Sequence, residues 1–220
     1  MYKTLLILTY IYNLHHTALV LKEMRIFSDS EKKVILMGGR IYLRPLTTQD
    51  AKDAYVSWLN DPSINHFLDT RSATIESVRE YIREKRNDPY SIFWGVFSKK
   101  DNLHIGNVKL RLVDLRDIVL EKQTPEIGIM IGNKKYMGLG MGNEAMTVAI
   151  AYSFDKLGFS YMSLGVIADN ERAIRSYHRQ GFVDFHVRRH FVCHDAVWYD
   201  HITMILKKEQ FVNARKVQKL

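Results

Sequence analysis

The chain has 220 residues and a mass of 25.8 kDa, which corresponds to one ordinary domain because single cores grow to roughly 250 residues before a chain divides. Hydrophobic residues make up 46% and charged residues 25%, with 4 Pro and 12 Gly, so collagen-like, low-complexity and mainly disordered classes are excluded. Cys193 is the only cysteine, which excludes a disulfide framework and a cysteine-rich zinc module. We therefore expect a cytoplasmic location and no metal.

The net charge of +8 raises the question of nucleic-acid binding, which depends on how the charge is distributed. The stretch from Lys207 to the end contributes +4, from five basic residues against Glu209, so the rest of the chain is only mildly basic. The sequence carries no helix-turn-helix or RNA-binding aromatic signature. We expect no nucleic-acid partner and interpret residues 209–220 as a basic C-terminal tail.

The N-terminal part of the chain carries an apolar run from Leu5 to Tyr12. This run is shorter than the about 20 residues that span a bilayer, and the segment 13–16, with Asn13, His15 and His16, interrupts it, so we expect neither a membrane helix nor secretion. A polar stretch, 28–33, then precedes a turn-like Gly38-Gly39. We predict an N-terminal extension over residues 1–38 and a compact domain over residues 39–208.

Hydrophobic periodicity from Arg40 onward predicts an α+β protein. Helices are predicted at 48–60, 74–86, 139–157 and 170–180. Strands are predicted at 41–45, 91–97, 105–113, 126–131, 161–167, 182–193 and 197–206. Three consecutive strands in the middle read as an antiparallel meander. The order predicts a mixed, mostly antiparallel sheet of about seven strands flanked by about four helices.

The segment from Met137 to Ala145 places three glycines at alternate positions between a predicted strand and a predicted helix. Glycines allow backbone amides to approach a ligand closely, and amides at a helix N-terminus form a nest that suits a pyrophosphate. A tight strand-to-helix turn without a ligand explains the same residues. The segment lacks the lysine of a P-loop and the spacing of the dinucleotide fingerprint.

A second segment places Asn170, Ala173, Ile174 and Tyr177 along one stripe of a predicted helix. One interpretation makes Asn170 the N-cap and Tyr177 a core residue. The other places both side chains against a cofactor.

Together the two segments resemble the GCN5-related N-acetyltransferase (GNAT) superfamily, over roughly residues 40–207. Gly140 and Gly142 match the small positions of its acetyl-CoA-binding motif, Gln/Arg-x-x-Gly-x-Gly/Ala, with Met137 in the Gln/Arg position. The second motif, Asn-x-x-Ala-x-x-x-Tyr-x-x-x-Gly-Phe, is met at Asn170, Ala173, Tyr177, Gly181 and Phe182. Residues 40–46 and 58–62 are similar to the branch that contains ribosomal-protein alanine N-acetyltransferases and sugar-amine acetyltransferases.

The resemblance implies acetyl-CoA as co-substrate and direct acetyl transfer to a primary amine. In this family a bulge in the strand that corresponds to 126–131 separates it from its neighbour and exposes backbone groups to the pantetheine arm; Gly128 suits such a bulge. The cofactor-binding residues so implied are Ile129, Met130, Ile131, Met137, Gly138, Leu139, Gly140, Met141, Gly142, Asn143, Asn170 and Tyr177.

Two residues are candidates for proton transfer. The resemblance implies Tyr177 as the general acid that protonates the thiolate. Glu126 begins the strand beside the acetyl group and is our candidate base, acting through water; the alternative is a surface or ion-paired glutamate. Cys193 is expected to be a packed strand thiol.

The two closing strands carry the candidate acceptor residues, Arg188, Arg189, Tyr199 and Asp200, among His186, His190, His194 and His201. A basic wall there suits a phosphorylated acceptor such as a nucleotide-linked amino sugar, whereas a solvated basic strand explains the same residues. Two alternatives are a protein N-terminal acetyltransferase and a non-catalytic acyl-CoA sensor, for which Met137 is the only hint. A small-molecule amine is thus the expected partner, with no membrane, and a homodimer is left open.

Overall fold

The computed structural model describes residues 25–114 and 123–217, with the backbone alone for residues 216 and 217. The strands are β1 (Leu36–Met37), β2 (Ile41–Pro45), β3 (Ser91–Ser98), β4 (His104–Val113), β5 (Thr124–Ile131), β6 (Tyr161–Ile167), β7 (Val183–His194) and β8 (Val197–Lys207). The α-helices are α1 (Asp29–Lys32), α2 (Asp53–Asn60), α3 (Pro62–Asn65), α4 (Ile75–Asn87), α5 (Met141–Asp155), α6 (Glu171–Arg179) and α7 (Lys208–Val217), and two 3-10 turns cover Thr48–Asp50 and Lys134–Tyr136.

The eight strands form one sheet in the order β1-β2-β3-β4-β5-β6-β8-β7. Neighbouring strands are antiparallel throughout, apart from the parallel pair β5 and β6. The predicted α+β class with a mixed, mostly antiparallel sheet is confirmed. The eighth strand is the two-residue β1, which is too short to give a sequence pattern.

The sheet splits between β5 and β6. These strands share one pair of facing residues, Glu126 and Ser163. In contrast, β5 keeps an unbroken register with β4 from Thr124 to Ile131, so the bulge expected at Gly128 is absent from this pairing. The split arises because β6 diverges from β5. Within the described residues, one edge of 127–131 is left without a strand partner.

Side chains from the two faces of the sheet pack into two separate layers. On β3, Trp94 joins the core beneath α5, whereas Phe93 and Phe97 join the cluster beneath α2 and α4, as the alternation of a strand requires. The helix α4 starts at Thr74, whose hydroxyl accepts from the Ser77 backbone N–H at 3.1 Å.

Both ends of the described chain pack onto this core. Phe27 is 3% exposed, and the carbonyl of Val34 accepts from the Trp94 indole N–H at 3.0 Å. The predicted extension, 1–38, therefore contains packed structure from residue 25 onward. The predicted solvated tail, 209–220, begins as part of α7, which is anchored by the buried Phe211.

None of the helices in the described ranges has the length and apolar character that crossing a bilayer requires. The apolar run from Leu5 to Tyr12 lies outside those ranges.

Candidate active site

A cavity of about 950 Å³ opens at the split between β5 and β6. On one side it is bounded by the glycine-rich turn and by α6. On the other side it reaches α2, α4 and the connection from Ser63 to Ala73. The cavity thus joins both faces of the sheet, since the unpaired edge of β5 lies between its two halves.

All of the predicted cofactor-binding residues except Leu139 and Met141 line this cavity. Leu139 is 54% exposed on the outside of the turn, and Met141 is buried in the core at 8% exposure. Neither of these two residues is part of the cavity lining.

The glycine-rich turn has a backbone that other residues would strain. Gly138 and Gly140 have φ angles of 76° and 78°, in the left-handed region. Gly140 is the N-cap of α5 and no side chain caps this helix, so its first backbone amides are available to a ligand. A Cβ atom on Gly142 would lie 3.2 Å from Cγ1 of Ile131, which shows how closely α5 approaches β5. This cradle fits the phosphates of a coenzyme.

Positive charge reaches the cavity from α6 rather than from the turn. Met137 lines the cavity with an uncharged side chain, whereas Arg172 and Arg179 line it seven residues apart on the same helix. That spacing places both arginines on one helical face, a signal that the sequence analysis did not use.

Asn170 is the N-cap of α6 and also lines the cavity. Its side chain accepts from the backbone N–H of Ala173 at 3.2 Å, as an N-cap does, and it also lines the cavity. The helices on either side of the cofactor half are tied together because the Ser176 hydroxyl contacts Oδ1 of Asn143.

Tyr177 projects from α6 into the cavity with its ring 6.2 Å from that of Phe182. Its hydroxyl has no hydrogen-bond partner among the described residues. Burial raises the pKa of this phenol to about 12. Tyr177 therefore carries a proton at neutral pH and has that proton available to a ligand.

Glu126 lies where the split begins, paired with Ser163 on β6 and with Arg111 on β4, and it lines the cavity. Together with Tyr177 it brings a carboxylate and a phenol into one space from two different elements.

None of the predicted acceptor residues lines the cavity. The guanidinium of Arg188 stacks 3.6 Å from the ring centre of Phe191, and Arg189 is exposed. Tyr199 packs its ring against His194, and the Asp200 carboxylate accepts from the His190 backbone N–H at 2.9 Å. The four predicted acceptor residues therefore lie outside the lining of this cavity, and a register shift separates Arg188 from Val192 on the same strand.

His201 is the histidine of the closing strands that does line the cavity. Burial lowers its pKa, and the neighbouring Arg188 lowers it further. Within the described residues, no three His, Cys, Asp or Glu side chains are grouped closely enough to hold a metal ion.

The acceptor half of the cavity is formed by residues that the sequence analysis missed. They are the strand residues Phe93, Asn107 and Lys109, the helix residues Tyr55 and Tyr81, and the loop residues Phe67 and Asp69. Asn107 and Lys109 alternate with the buried Val108, so the sequence of β4 indicates that these two residues share one face of the strand. The sequence alone does not show which other elements that face contacts.

The split sheet, the helix start without a side-chain cap and the partly buried tyrosine suit an extended anionic co-substrate beside a proton donor. The sequence matches the family model described as Acetyltransferase (GNAT) domain over residues 40–183. The chain belongs to the GNAT acetyltransferase family. It is an acetyl-CoA-dependent N-acetyltransferase, as the resemblance implied.

Named relatives and a solved structure agree with this assignment. The human alpha/beta-tubulin-N-acetyltransferase 9 is 23% identical over 161 residues, covering 69% of this chain and 76% of the human protein. The uncharacterized N-acetyltransferase YoaA of Bacillus subtilis is 24% identical over 173 residues, covering 76% of this chain and 92% of its own. Spermidine N-acetyltransferase from Vibrio cholerae, solved with CoA and spermine, has a TM-score of 0.67 at 20% identity, covering 80% of this chain and 99% of that chain. At this identity the structural likeness concerns the fold.

Proposed function

We propose that the cavity holds acetyl-CoA in one half and a primary amine in the other, so that the acetyl group passes directly between them. The observation that carries this proposal is that the glycine-rich turn, the unpaired edge of β5, Glu126 and Tyr177 all face one cavity. When bound, acetyl-CoA supplies an acetyl group activated as a thioester. The catalytic unit comprises the predicted residues 39–208 together with the packed residues 25–38 and α7.

The cofactor half binds by backbone and by charge. The first amides of α5 carry the partial positive charge of a helix N-terminus and suit the phosphates. Arg172 and Arg179 add the positive charge that Met137 lacks. The unpaired edge of Ile129 to Ile131 suits the amides of pantetheine, which can pair with it as a strand would.

Tyr177 acts as the general acid. Because burial raises its pKa to about 12, it holds a proton throughout the physiological range. Its hydroxyl faces the cavity without a competing partner among the described residues, so it can donate that proton to the departing thiolate.

Glu126 acts as the general base. An amine must lose a proton to form an amide, and a carboxylate at the edge of the cavity can accept it through a water molecule. Glu126 lies on β5 and Tyr177 lies on α6. The group that removes a proton from the amine is therefore different from the group that supplies a proton to the thiolate.

The acceptor enters between α2, α4 and the connection from Ser63 to Ala73. Arg188 and Arg189, whose charge suits a nucleotide-linked amino sugar, do not line the cavity and so do not support that acceptor. A peptide amine gains weight from the human relative, which is named as a tubulin N-acetyltransferase. A non-catalytic acyl-CoA sensor is the alternative of a different class.

Calorimetry with acetyl-CoA, followed by CoA release in the presence of peptides, polyamines and nucleotide-linked amino sugars, tests the proposal. We expect binding in the micromolar range and CoA release that depends on an amine. Binding without release for any amine would favour the sensor, and absence of binding would contradict both functions.

A further inference from the structure

Asn107 places an amide group on the floor of the acceptor half of the cavity. The residue is 5% exposed, yet it lines the cavity. Its Nδ2 has no hydrogen-bond partner within the part of the chain that the structure describes. A buried amide hydrogen without a partner is costly, so this donor is suited to a ligand that reaches it.

His104 fixes the orientation of this amide. Nε2 of His104 lies 2.9 Å from the carbonyl oxygen of Gly106 and 2.9 Å from Oδ1 of Asn107. A carbonyl can only accept, so Nε2 must carry a hydrogen, and the Asn107 atom that faces it must be the oxygen. The NH₂ group is therefore the buried part of Asn107 that is left without a partner among the described residues.

The imidazole that sets this orientation is itself held rigidly. The His104 ring stacks on Phe97 with centroids 4.9 Å apart and meets the edge of Trp58 at 5.1 Å. Burial lowers its pKa, which favours the neutral ring. Asn107 thus has little freedom to turn its amide.

Lys109 adds a second donor on the same face of β4. It lies two residues beyond Asn107, about 7 Å along the strand, and also lines the cavity. Its Nζ is 3.4 Å from the hydroxyl of Tyr81. Gly128 lies opposite Lys109, and a Cβ atom built there would meet nothing within 4 Å, so the space beside Lys109 is open.

The acceptor half of the cavity offers few carboxylates to a polycation. Within its described lining, Asp69 and Glu126 are the acidic side chains and Lys109 is the basic one, whereas Arg172 and Arg179 lie on α6 in the cofactor half. A polyamine would need a row of carboxylates along its length, whereas the floor offers two hydrogen-bond donors close to Glu126.

We propose that Asn107 and Lys109 bind oxygen atoms of the acceptor, which is therefore an amine with carbonyl groups close to its amino group, as at the N-terminus of a peptide. Lys109 is diagonal to Glu126 across the strands, so their Cα atoms lie about 7–8 Å apart. An extended peptide advances about 3.5 Å per residue, so an amine near Glu126 brings its first carbonyl groups over the two donors. This inference rests on the proposed acetyl transfer and names its substrate class.

The test compares two kinds of amine on the full chain. Tripeptides with a free N-terminus, beginning with Ala, Ser or Met, carry the carbonyl groups, and spermidine lacks them. Initial rates of CoA release give kcat and KM for each, and calorimetry gives the Kd of acetyl-CoA. Asn107→Leu removes the donor while His104 keeps its bond to Gly106, and Lys109→Met removes the ammonium. Lys135→Met is the matched control, since Lys135 is exposed and is absent from the cavity lining.

We expect the wild type to prefer a tripeptide, and we expect Asn107→Leu to lower kcat/KM for that tripeptide about 10- to 100-fold, mainly through KM. The loss of kcat/KM for spermidine is smaller than that for the tripeptide, and the Kd of acetyl-CoA, which binds in the other half, stays within about twofold. Lys109→Met also lowers kcat/KM for the tripeptide, and it provides the test if Asn107→Leu does not fold. Lys135→Met leaves kcat/KM for both amines unchanged.

A preference of the wild type for spermidine, or an equal loss for both amines in the two cavity variants, would overturn the inference and leave the acetyl transfer standing. No turnover of any amine by a wild type that binds acetyl-CoA would instead overturn the proposed function, and the inference with it.

Discussion

Arg40 and Glu144 join the start of β2 to the first turn of α5. Oε1 of Glu144 accepts from the Arg40 backbone N–H at 2.7 Å, and Oε2 accepts from Nε of Arg40 at 2.9 Å. The same guanidinium donates through Nη1 to the carbonyl oxygen of Leu139 at 2.9 Å. One arginine therefore fixes both the helix and the turn that precedes it. The proposed phosphate cradle is held in shape by contacts within the chain.

The first prediction concerns this turn. Gly140→Asp places a carboxylate and a strained backbone beside the amides of α5, so we expect the Kd of acetyl-CoA, measured by calorimetry, to rise more than about 100-fold. Gly158→Asp is the matched control, because Gly158 has a similar φ of 76° and is absent from the cavity lining. Equal Kd values for the two variants would contradict a phosphate site at the turn.

The second prediction assigns the proton donor. Tyr177→Phe keeps the ring and removes a hydroxyl that has no partner among the described residues, so we expect stability to change little. Loss of a general acid lowers kcat by about 100-fold. Because the pKa of Tyr177 is raised to about 12, the wild-type rate should show no decline from this group up to about pH 10. An unchanged kcat would show that the thiolate leaves without help from Tyr177.

The third prediction concerns the base. A base is needed most when the acceptor is protonated, so Glu126→Gln should lower kcat/KM about 10- to 100-fold at pH 7, and the deficit should shrink as the pH approaches the pKa of the amine. Glu76→Gln, an exposed carboxylate on α4, is the control. The kcat/KM of the wild type and of both variants, measured across a range of pH, gives the deficit and its dependence on pH. A deficit that is constant across pH would assign Glu126 a role in binding or structure.

The fourth prediction tests the packing of the N-terminal segment. Phe27→Ala removes a ring that is 3% exposed in the core and should cost about 3 kcal/mol of unfolding free energy. The neighbouring Ile26 is 54% exposed, and Ile26→Ala should change stability by less than about 0.5 kcal/mol. Urea unfolding of the full chain compares the two. Similar losses would mean that residues 25–37 do not contribute to the core as described.

The long elements of the fold could be predicted from the sequence, whereas two of the short or terminal ones could not. The long elements have clear periods: the strand predicted at 161–167 is observed as Tyr161–Ile167, and the helix predicted at 74–86 as Ile75–Asn87. In contrast, β1 has two residues and α7 buries Phe211 within a basic stretch, so neither shows a repeating apolar face. Their places are decided by tertiary contacts that local patterns do not encode.

The two halves of the cavity also differ in how far the sequence could predict them. The cofactor half follows from local features, since a glycine-rich turn and a helix stripe are contiguous in sequence. The acceptor half combines β4, α2, α4 and the connection after α3, which only the fold brings together. The charge of Arg188 predicts a place in this half, but its guanidinium stacks on Phe191 instead. The charge of a residue in a sequence does not specify where its side chain points.

The last prediction concerns stability against pH. Asp50 is the partner of Arg44: the guanidinium donates from Nη1 to Oδ2 at 2.9 Å and from Nη2 to Oδ1 at 2.6 Å. Burial alone would raise the pKa of Asp50, but the bonds from Arg44 and from the Thr47 backbone N–H outweigh it and lower the pKa to about 2. Because the pKa is lower in the folded state than the about 3.9 of an unfolded chain, the pair stabilises the fold above pH 4 and this contribution is lost as the pH falls toward 2.

With a side chain only 10% exposed, the shift of Asp50 corresponds to about 2 kcal/mol. We therefore expect Asp50→Asn to be less stable than the wild type at pH 7, and the difference to narrow by about that amount between pH 5 and pH 2. Urea unfolding at a series of pH values measures it, with the exposed Asp53→Asn as the control. A difference that is the same at pH 7 and pH 2 would mean that the loss comes from altered packing rather than from the charge of the Arg44 pair.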